Sequence, residues 1–367
     1  MAQALYRKYR PKKFDEILGQ ETNVLILKNA AKSGRIGQAY IFYGPRGTGK
    51  TTTARLMAKL LNCEKRRTDP EFAKTGEPCN ECRECRAIDE QTSFDVVEID
   101  AASNRGIDEI RNLKESIQTS PASAEHKVYI IDEAHMLTGA AFNALLKTLE
   151  EPPRHAAIIL ATTEFEKLPP TITSRAQRFV FKKPSKMTII EKLSEIAKKE
   201  KIKIDAPAIE LIAAAGEGSF RDAISLLDQI ASLATSITLA DAERITGRAG
   251  LKKVHGLAER IMKKDLRGSL EYLAELSDEG HNLVQFTKDL IHYLRKLLSL
   301  KIDPALEKIM EKDLTKDELA AAKKLAAAAD AAFLVLLLKA LIRAYSEMRY
   351  SPFAAVPLEI MLVEHLS

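Results

Sequence analysis

The sequence predicts an α/β fold, with a parallel sheet and flanking helices in the first half of the chain and helices alone in the second. Three observations predict it. Short apolar runs alternate with helical patterns as far as about Val180, and a glycine-rich segment, Gly44-Pro45-Arg46-Gly47-Thr48-Gly49-Lys50-Thr51, joins one such run to a helical pattern. Beyond Lys182 only the helical period remains.

Strands are expected near Ala39 to Tyr43, Asp95 to Asp100, Lys127 to Ile131, Ala157 to Thr162 and Gln177 to Phe181, the first and third as short apolar runs. After Thr51, Ala54, Met57, Ala58 and Leu61 recur at helical spacing, so the glycine-rich segment lies between a strand and a helix. Pro184 and Pro207 stand near helix starts, and Gly216-Glu217-Gly218 separates helices. The alanine-rich stretch from Leu319 to Ala332 reads as a well-propagating helix. These regimes divide the chain at 1–180, 181–242 and 243–367.

A length of 367 residues with 46% hydrophobic content suits two or three ordinary cores. The longest apolar stretch, Ala331 to Leu338, stops at Lys339, far short of the roughly twenty residues that span a bilayer. A net charge of +5 is only mildly basic and decides little about nucleic acid.

The glycine-rich segment fills every fixed position of the phosphate-binding pattern G-x-x-x-x-G-K-[ST]. A triphosphate needs fixed donors that do not crowd it. Gly44, Gly47 and Gly49 let backbone N–H groups turn inward, and the helix beginning near Lys50 aims its positive end at the anion. Pro45, Arg46 and Thr48 complete the loop. Lys50 is expected to reach the β and γ phosphates of ATP, and the Thr51 hydroxyl to ligate Mg²⁺.

Some eighty residues on, Val128-Tyr129-Ile130-Ile131 ends in Asp132-Glu133. In open α/β sheets ligands bind at the carboxyl ends of strands, so Asp132 is placed to hold the metal and Glu133 to polarise water. His135, two residues further, is expected to be packed structure.

All four cysteines, Cys63, Cys79, Cys82 and Cys85, fall in one segment. Two overlapping C-x-x-C units and one distant cysteine spell a closed Cys₄ zinc site, structural and without an open position for chemistry. With no signal peptide before Met1, disulfides are not expected. The polar spacer from Glu64 to Pro78 is expected to be a surface excursion.

Further motifs carry a resemblance: Tyr6-Arg7-Lys8-Tyr9-Arg10-Pro11 with Ile17-Leu18-Gly19-Gln20, Asp132-Glu133-Ala134-His135-Met136-Leu137, Asn143 through Pro153, Leu160-Ala161-Thr162-Thr163-Glu164, Thr173-Ser174-Arg175, and Gly218-Ser219-Phe220-Arg221-Asp222-Ala223. On these the chain resembles the γ/τ family of bacterial DNA polymerase III clamp-loader ATPases, within the AAA+ superfamily. The resemblance implies an AAA+ P-loop domain with a zinc module at about 63–85, a small helical lid and an all-α oligomerising collar. It implies that ATP binding and hydrolysis drive the loading of the β sliding clamp onto primed DNA in the cytoplasm. Implied partners are the δ and δ′ subunits, further copies of the chain, the clamp, and primer-template DNA held by its phosphates, with no membrane.

Residue by residue, the strand ending at Thr162-Thr163 matches sensor 1; Thr163 is favoured, with Thr162 left open. Arg175 resembles the arginine finger that acts in trans on a neighbour's ATP. The usual Ser-Arg-Cys pattern has Ala176 here, a position without a part in phosphoryl transfer. Arg221 matches the sensor-2 arginine facing the γ phosphate of its own subunit. Asn104 and Arg105, after a strand end that lines the family's central chamber, are the DNA candidates. A branch-migration helicase would lack the cysteine module and the Thr173-Ser174-Arg175 setting, and a non-hydrolysing scaffold would not need Lys50, Thr51, Asp132 and Glu133. The chain stops at Ser367, as a short γ form or a shortened τ would.

Overall fold

The computed structural model describes residues 3–104, 106–233, 236–310 and 314–366, the side chains of 107, 108, 111, 112, 309 and 316 excepted. The chain divides into two compact units, Met1–Pro184 with Ser219–Arg221, and Ser185–Gly218 with Asp222–Ser367.

The first unit holds five strands, β1 Ala39–Tyr43, β2 Val96–Asp100, β3 Lys127–Asp132, β4 Ala156–Thr162 and β5 Gln177–Val180, in the order β2-β3-β4-β1-β5. Every pairing is parallel. Because successive side chains point to opposite faces, the strands feed two cores. Ile41, Tyr129, Ile131, Ile158 and Leu160 pack on one face with Ile110, Ile117, Phe142 and Leu145 of the helices Ile107–Gln118 and Gly139–Glu150. Tyr40, Phe42, Val128, Ile130 and Ile159 pack on the other with Leu27, Met57 and Leu60 of the helices Glu21–Lys32 and Lys50–Asn62. With both faces covered, all seven residues of β4 are buried.

The order has a functional consequence. β4 lies between β1, which leads into the glycine-rich loop, and β3, which ends in the acidic pair, so the carboxyl end of β4 stands between the two. Register places Tyr43 beside Thr162 and Asp100 beside Asp132.

Just before β2, Asp95 is fully buried and accepts the backbone N–H groups of Ala122, Ser123 and Ala124 at 2.7, 2.7 and 2.8 Å, with the Ser123 hydroxyl at 3.3 Å. Burial opposes its ionisation, but these donors together hold its carboxyl below the usual value. A carboxyl lowered in the folded state adds stability above its unfolded pKa of about 3.9, and that stability is lost as pH falls through the lower folded value. Asp95→Asn is therefore expected to cost roughly 1–3 kcal/mol at pH 7. Urea denaturation across pH checks this: the gap between variant and parent should close below about pH 4.

In the second unit a two-stranded parallel ladder, β6 Lys203–Ile204 with β7 Ser236–Ile237, ties the helices Lys186–Glu200, Ala206–Ala215 and Leu239–Thr246 together. Beyond them the helix Leu283–Ile302 runs through a core that includes Leu257, Phe286, Leu290, Leu294, Leu337, Leu341 and Leu358. The single helix expected over the alanine-rich stretch is two. The first, Lys316–Ala328, ends at Ala329 in extended conformation; Asp330 then accepts Phe333 N–H at 2.9 Å and caps a second, Ala331–Met348, bent 111° from the first. A carboxylate capping the free N–H groups of a new helix outweighs alanine's propensity to continue the old one. Among the described residues no single helix is long and apolar enough to cross a membrane.

Candidate nucleotide site and metal centre

Gly44, Gly47 and Gly49 take φ values of +142°, +71° and +101°. At the first two, close approach adds to the backbone demand: a Cβ would lie 2.1 Å from the Phe181 carbonyl oxygen at Gly44, and 1.8 Å from Ser219 Oγ at Gly47. The loop folds around Lys50, which is 6% exposed and donates from Nζ to the carbonyls of Gly44 and Pro45, both at 2.8 Å. Thr48 donates to Pro45 O at 2.8 Å. Burial lowers the Lys50 pKa, against the pull of Glu133 and Asp132. The two carboxylates thus share the lysine's field.

The acidic pair lies at the edge the strand order dictates. Thr51 Oγ1 donates to Asp132 Oδ2 at 2.8 Å, bringing together two hard oxygen donors from opposite sides of β4. That donor set fits a magnesium ion. Glu133 has a φ of +47°, rare for a residue with a side chain, and its Oε2 accepts the Thr163 hydroxyl at 3.0 Å. Thr162 is fully buried, and its Oγ1 lies 2.9 Å from His135 Nδ1 and accepts Glu164 N–H at 3.0 Å. Of the two threonines, Thr163 is the one on Glu133.

Beside the pair opens a cleft of about 600 Å³ whose walls include Arg46, Arg55, Glu98, Asp132, Glu133 and Arg221. Arg221 arrives on the segment 219–221, where Phe220 N–H donates to Gly47 O at 3.2 Å, and its guanidinium lies 5.3 Å from the ring centroid of Tyr6. Of these wall residues, sequence reasoning named Arg46, Asp132, Glu133 and Arg221 and missed Arg55 and Glu98. Arg55 forms a two-pronged pair with Glu98, Nε at 2.8 Å and a terminal nitrogen at 2.6 Å, and Arg10 is lowered from its usual pKa by burial and by the nearby guanidinium of Arg55. Arg55, one turn beyond Thr51 on the same helix, was the signal available: an arginine so near the loop's phosphate end points to anionic surroundings.

Two expected site residues lie apart from this group. Arg175 is tied to Glu150, with Nε at 2.6 Å from Oε1, and donates to Thr171 O at 2.6 Å. Asn104 is exposed after β2 and donates to Asp100 O at 3.2 Å. Arg105 lies outside the described residues.

The four cysteine sulfurs lie within 4.8 Å of one another, Cys79 and Cys85 3.9 Å apart. Tetrahedral Zn–S bonds of about 2.3 Å separate sulfurs by about 3.8 Å, so the cluster fits zinc. Charge agrees with geometry. The Cys85 thiol beside it pulls Cys63 down to about 4, while Cys85 itself, hydrogen-bonded to Cys63 and buried, is pushed up. Four thiolates gathered in one cluster would need a cation.

The spacer after Cys63 lies at the surface, with no buried residue in Glu64–Thr68 or Pro70–Ala73, but it is tied back to the unit at two points. Arg66 donates to Ala31 O at 3.0 Å and Ala73 O at 3.1 Å, and the buried Glu77 accepts Phe14 N–H at 2.8 Å and pairs with Lys28 at 2.9 Å. For the metal, cobalt substitution is the check: one Co²⁺ per chain with the intense thiolate-to-metal and tetrahedral visible bands is expected, and Cys82→Ser should weaken both.

Comparison with known proteins gives matches along nearly the whole chain. Residues 19–185 match a family described as DNA polymerase III, delta subunit; residues 188–235, DNA polymerase III clamp loader subunit, ATPase lid domain; and residues 237–367, DNA polymerase III subunits gamma and tau domain III. DNA polymerase III subunit tau of Bacillus subtilis is 45% identical over 311 residues, 84% of this chain and 54% of that protein. DNA polymerase III subunit gamma of Buchnera aphidicola is 35% identical over 366 residues, 100% of this chain and 99% of that protein. DNA polymerase III subunit tau of Escherichia coli is 36% identical over 366 residues, 100% of this chain and 55% of that protein. The chain spans about half the length of the first curated relatives it matches. Among solved structures, the Bacillus subtilis clamp loader delta protein aligns at a TM-score of 0.41 and 16% identity, over 93% of this chain and 99% of that one.

Proposed function

Since the chain belongs to the DNA polymerase III gamma/tau family, we propose that it is the ATP-hydrolysing subunit of a bacterial clamp loader, opening the β sliding clamp and placing it on primed DNA in the cytoplasm. The observation that carries this reading is the convergence of Lys50, the Thr51–Asp132 pair and the Glu133–Thr163 pair on one edge of the sheet.

In this reading Lys50 leaves the loop carbonyls for the β and γ phosphates, exchanging two neutral acceptors for anionic ones. Thr51 and Asp132 hold magnesium, which neutralises phosphate charge. Glu133 accepts a proton from the attacking water, and the Thr163 hydroxyl fixes the carboxylate that does so. Arg221 meets charge on the γ phosphate from its own chain. Arg175, held outward by Glu150 and exposed, is assigned to the ATP of a neighbouring copy. The Cys₄ centre holds structural zinc.

We assign 1–180 to the nucleotide domain, 181–242 to the lid and 243–367 to the oligomerising collar, with δ, δ′ and further copies of the chain as partners. DNA contact is assigned to phosphates at the segment carrying Asn104 and Arg105. Reconstitution with δ and δ′ tests the whole: the β ring should become trapped on primed circular DNA only with ATP. Retention without ATP, or none with it, overturns the proposal.

A further inference from the structure

We infer that His135 is a positioning residue that locks the end of β4 to the acidic pair, a reading that rests on the hydrolytic role proposed for Glu133. The imidazole follows Glu133 on the short 3₁₀ turn Ala134–Met136, and its side chain is 7% exposed. It touches three groups. Nδ1 lies 2.9 Å from Thr162 Oγ1 and 3.5 Å from Glu133 Oε2, and Nε2 lies 3.2 Å from Glu164 Oε1. One ring therefore spans from the turn that carries Glu133 to residues on both sides of Thr163.

The hydrogen-bond partners assign the tautomer. An ionised carboxylate only accepts, so Nε2 carries a proton toward Glu164, and in the neutral ring Nδ1 then accepts from the Thr162 hydroxyl. Thr162 Oγ1 in turn receives Glu164 N–H at 3.0 Å, which closes the chain end around the ring. With no hydrogen on Nδ1, Glu133 Oε2 gains nothing from the imidazole; its partner is the Thr163 hydroxyl at 3.0 Å. The distance of the carboxylate from Thr163 is thus set through a buried ring. Thr162 and Glu164 are anchored directly by His135, and Thr163 is fixed between them.

A displacement of about 1 Å at a reacting group costs on the order of 10²-fold in rate. His135→Ala is accordingly expected to lower kcat for ATP by about 10- to 100-fold, with KM and the affinity for a fluorescent mant-ATP probe little changed. Thr162→Val removes the same contact from the other side with almost no change in volume, and should lower kcat in the same way. The double variant should be no worse than the more affected single one, as for residues acting as a unit. His135→Asn, which keeps a polar group where Nδ1 lies, should restore part of the rate. Thr162→Val keeps the test available should His135→Ala fold poorly. Turnover unchanged in both single variants overturns the assignment, as does a parallel fall in kcat and mant-ATP affinity, which is the mark of general loosening. Absence of turnover in the parent overturns the hydrolytic reading of Glu133 and this one with it; normal turnover in parent and His135→Ala alike removes this one alone.

Discussion

Glu133→Gln is expected to lower ATP turnover by roughly 10²- to 10⁴-fold while Mg·ATP binding persists. The amide keeps the volume of the carboxylate and can still receive the Thr163 hydroxyl, which lies 3.0 Å from Oε2 in the parent. It cannot take a proton from water. Lys50, Thr51 and Asp132, which the reading gives to the phosphates and the metal, are untouched. The backbone argues the same way: a φ of +47° at a glutamate is a cost the fold bears to aim this side chain. Phosphate release and mant-ATP binding, measured on one preparation, separate the two effects. A variant that retains turnover, or loses binding in proportion, contradicts the base role.

Lys59→Ala is expected to destabilise the first unit by about 1–3 kcal/mol and to weaken metal binding with it. Lys59 is 1% exposed; it forms an ion pair with Asp89 and donates to Asn80 Oδ1 at 3.0 Å. Its helix, Lys50–Asn62, begins at the phosphate lysine and runs directly into Cys63. Asn80, at a φ of +62°, lies between Cys79 and Cys82, and Asp89 lies on the helix Arg83–Glu90 that carries Cys85. One buried ammonium thus joins the phosphate helix to the cysteine knuckle. Truncation takes the donor from Asn80 Oδ1 and opens a void, while Asp89, exposed on its helix, keeps access to water. Lys59→Met, which fills the void with an apolar side chain, should recover much of the loss. Chemical denaturation with metal analysis checks this; a loss below about 1 kcal/mol, the range of an exposed pair, contradicts it.

The sheet was legible because its central strands β1, β3 and β4 are short apolar runs buried on both faces: observed ends lie within a residue or so of those expected, as at Ala39–Tyr43 and Val96–Asp100. The phosphate loop and acidic pair were legible because their chemistry demands fixed residue types at fixed spacing. Chain order could not show that β4 inserts between β1 and β3, which explains why Thr163 meets Glu133. Nor could it show that Arg55 and Glu98 meet in the cleft wall, since they come from separate segments and follow no motif. Lys59 and Glu77 look like ordinary surface charges in sequence. Only packing reveals that each is buried and matched.

Phosphate release from Mg·ATP by the purified chain assembled with δ and δ′, compared with the same assembly carrying Lys50→Ala, tests the central claim most directly. Turnover that rises with primed DNA and β clamp, and that falls to background in the variant, is the predicted result. Equal rates in the two assemblies, or no turnover in either, would contradict it.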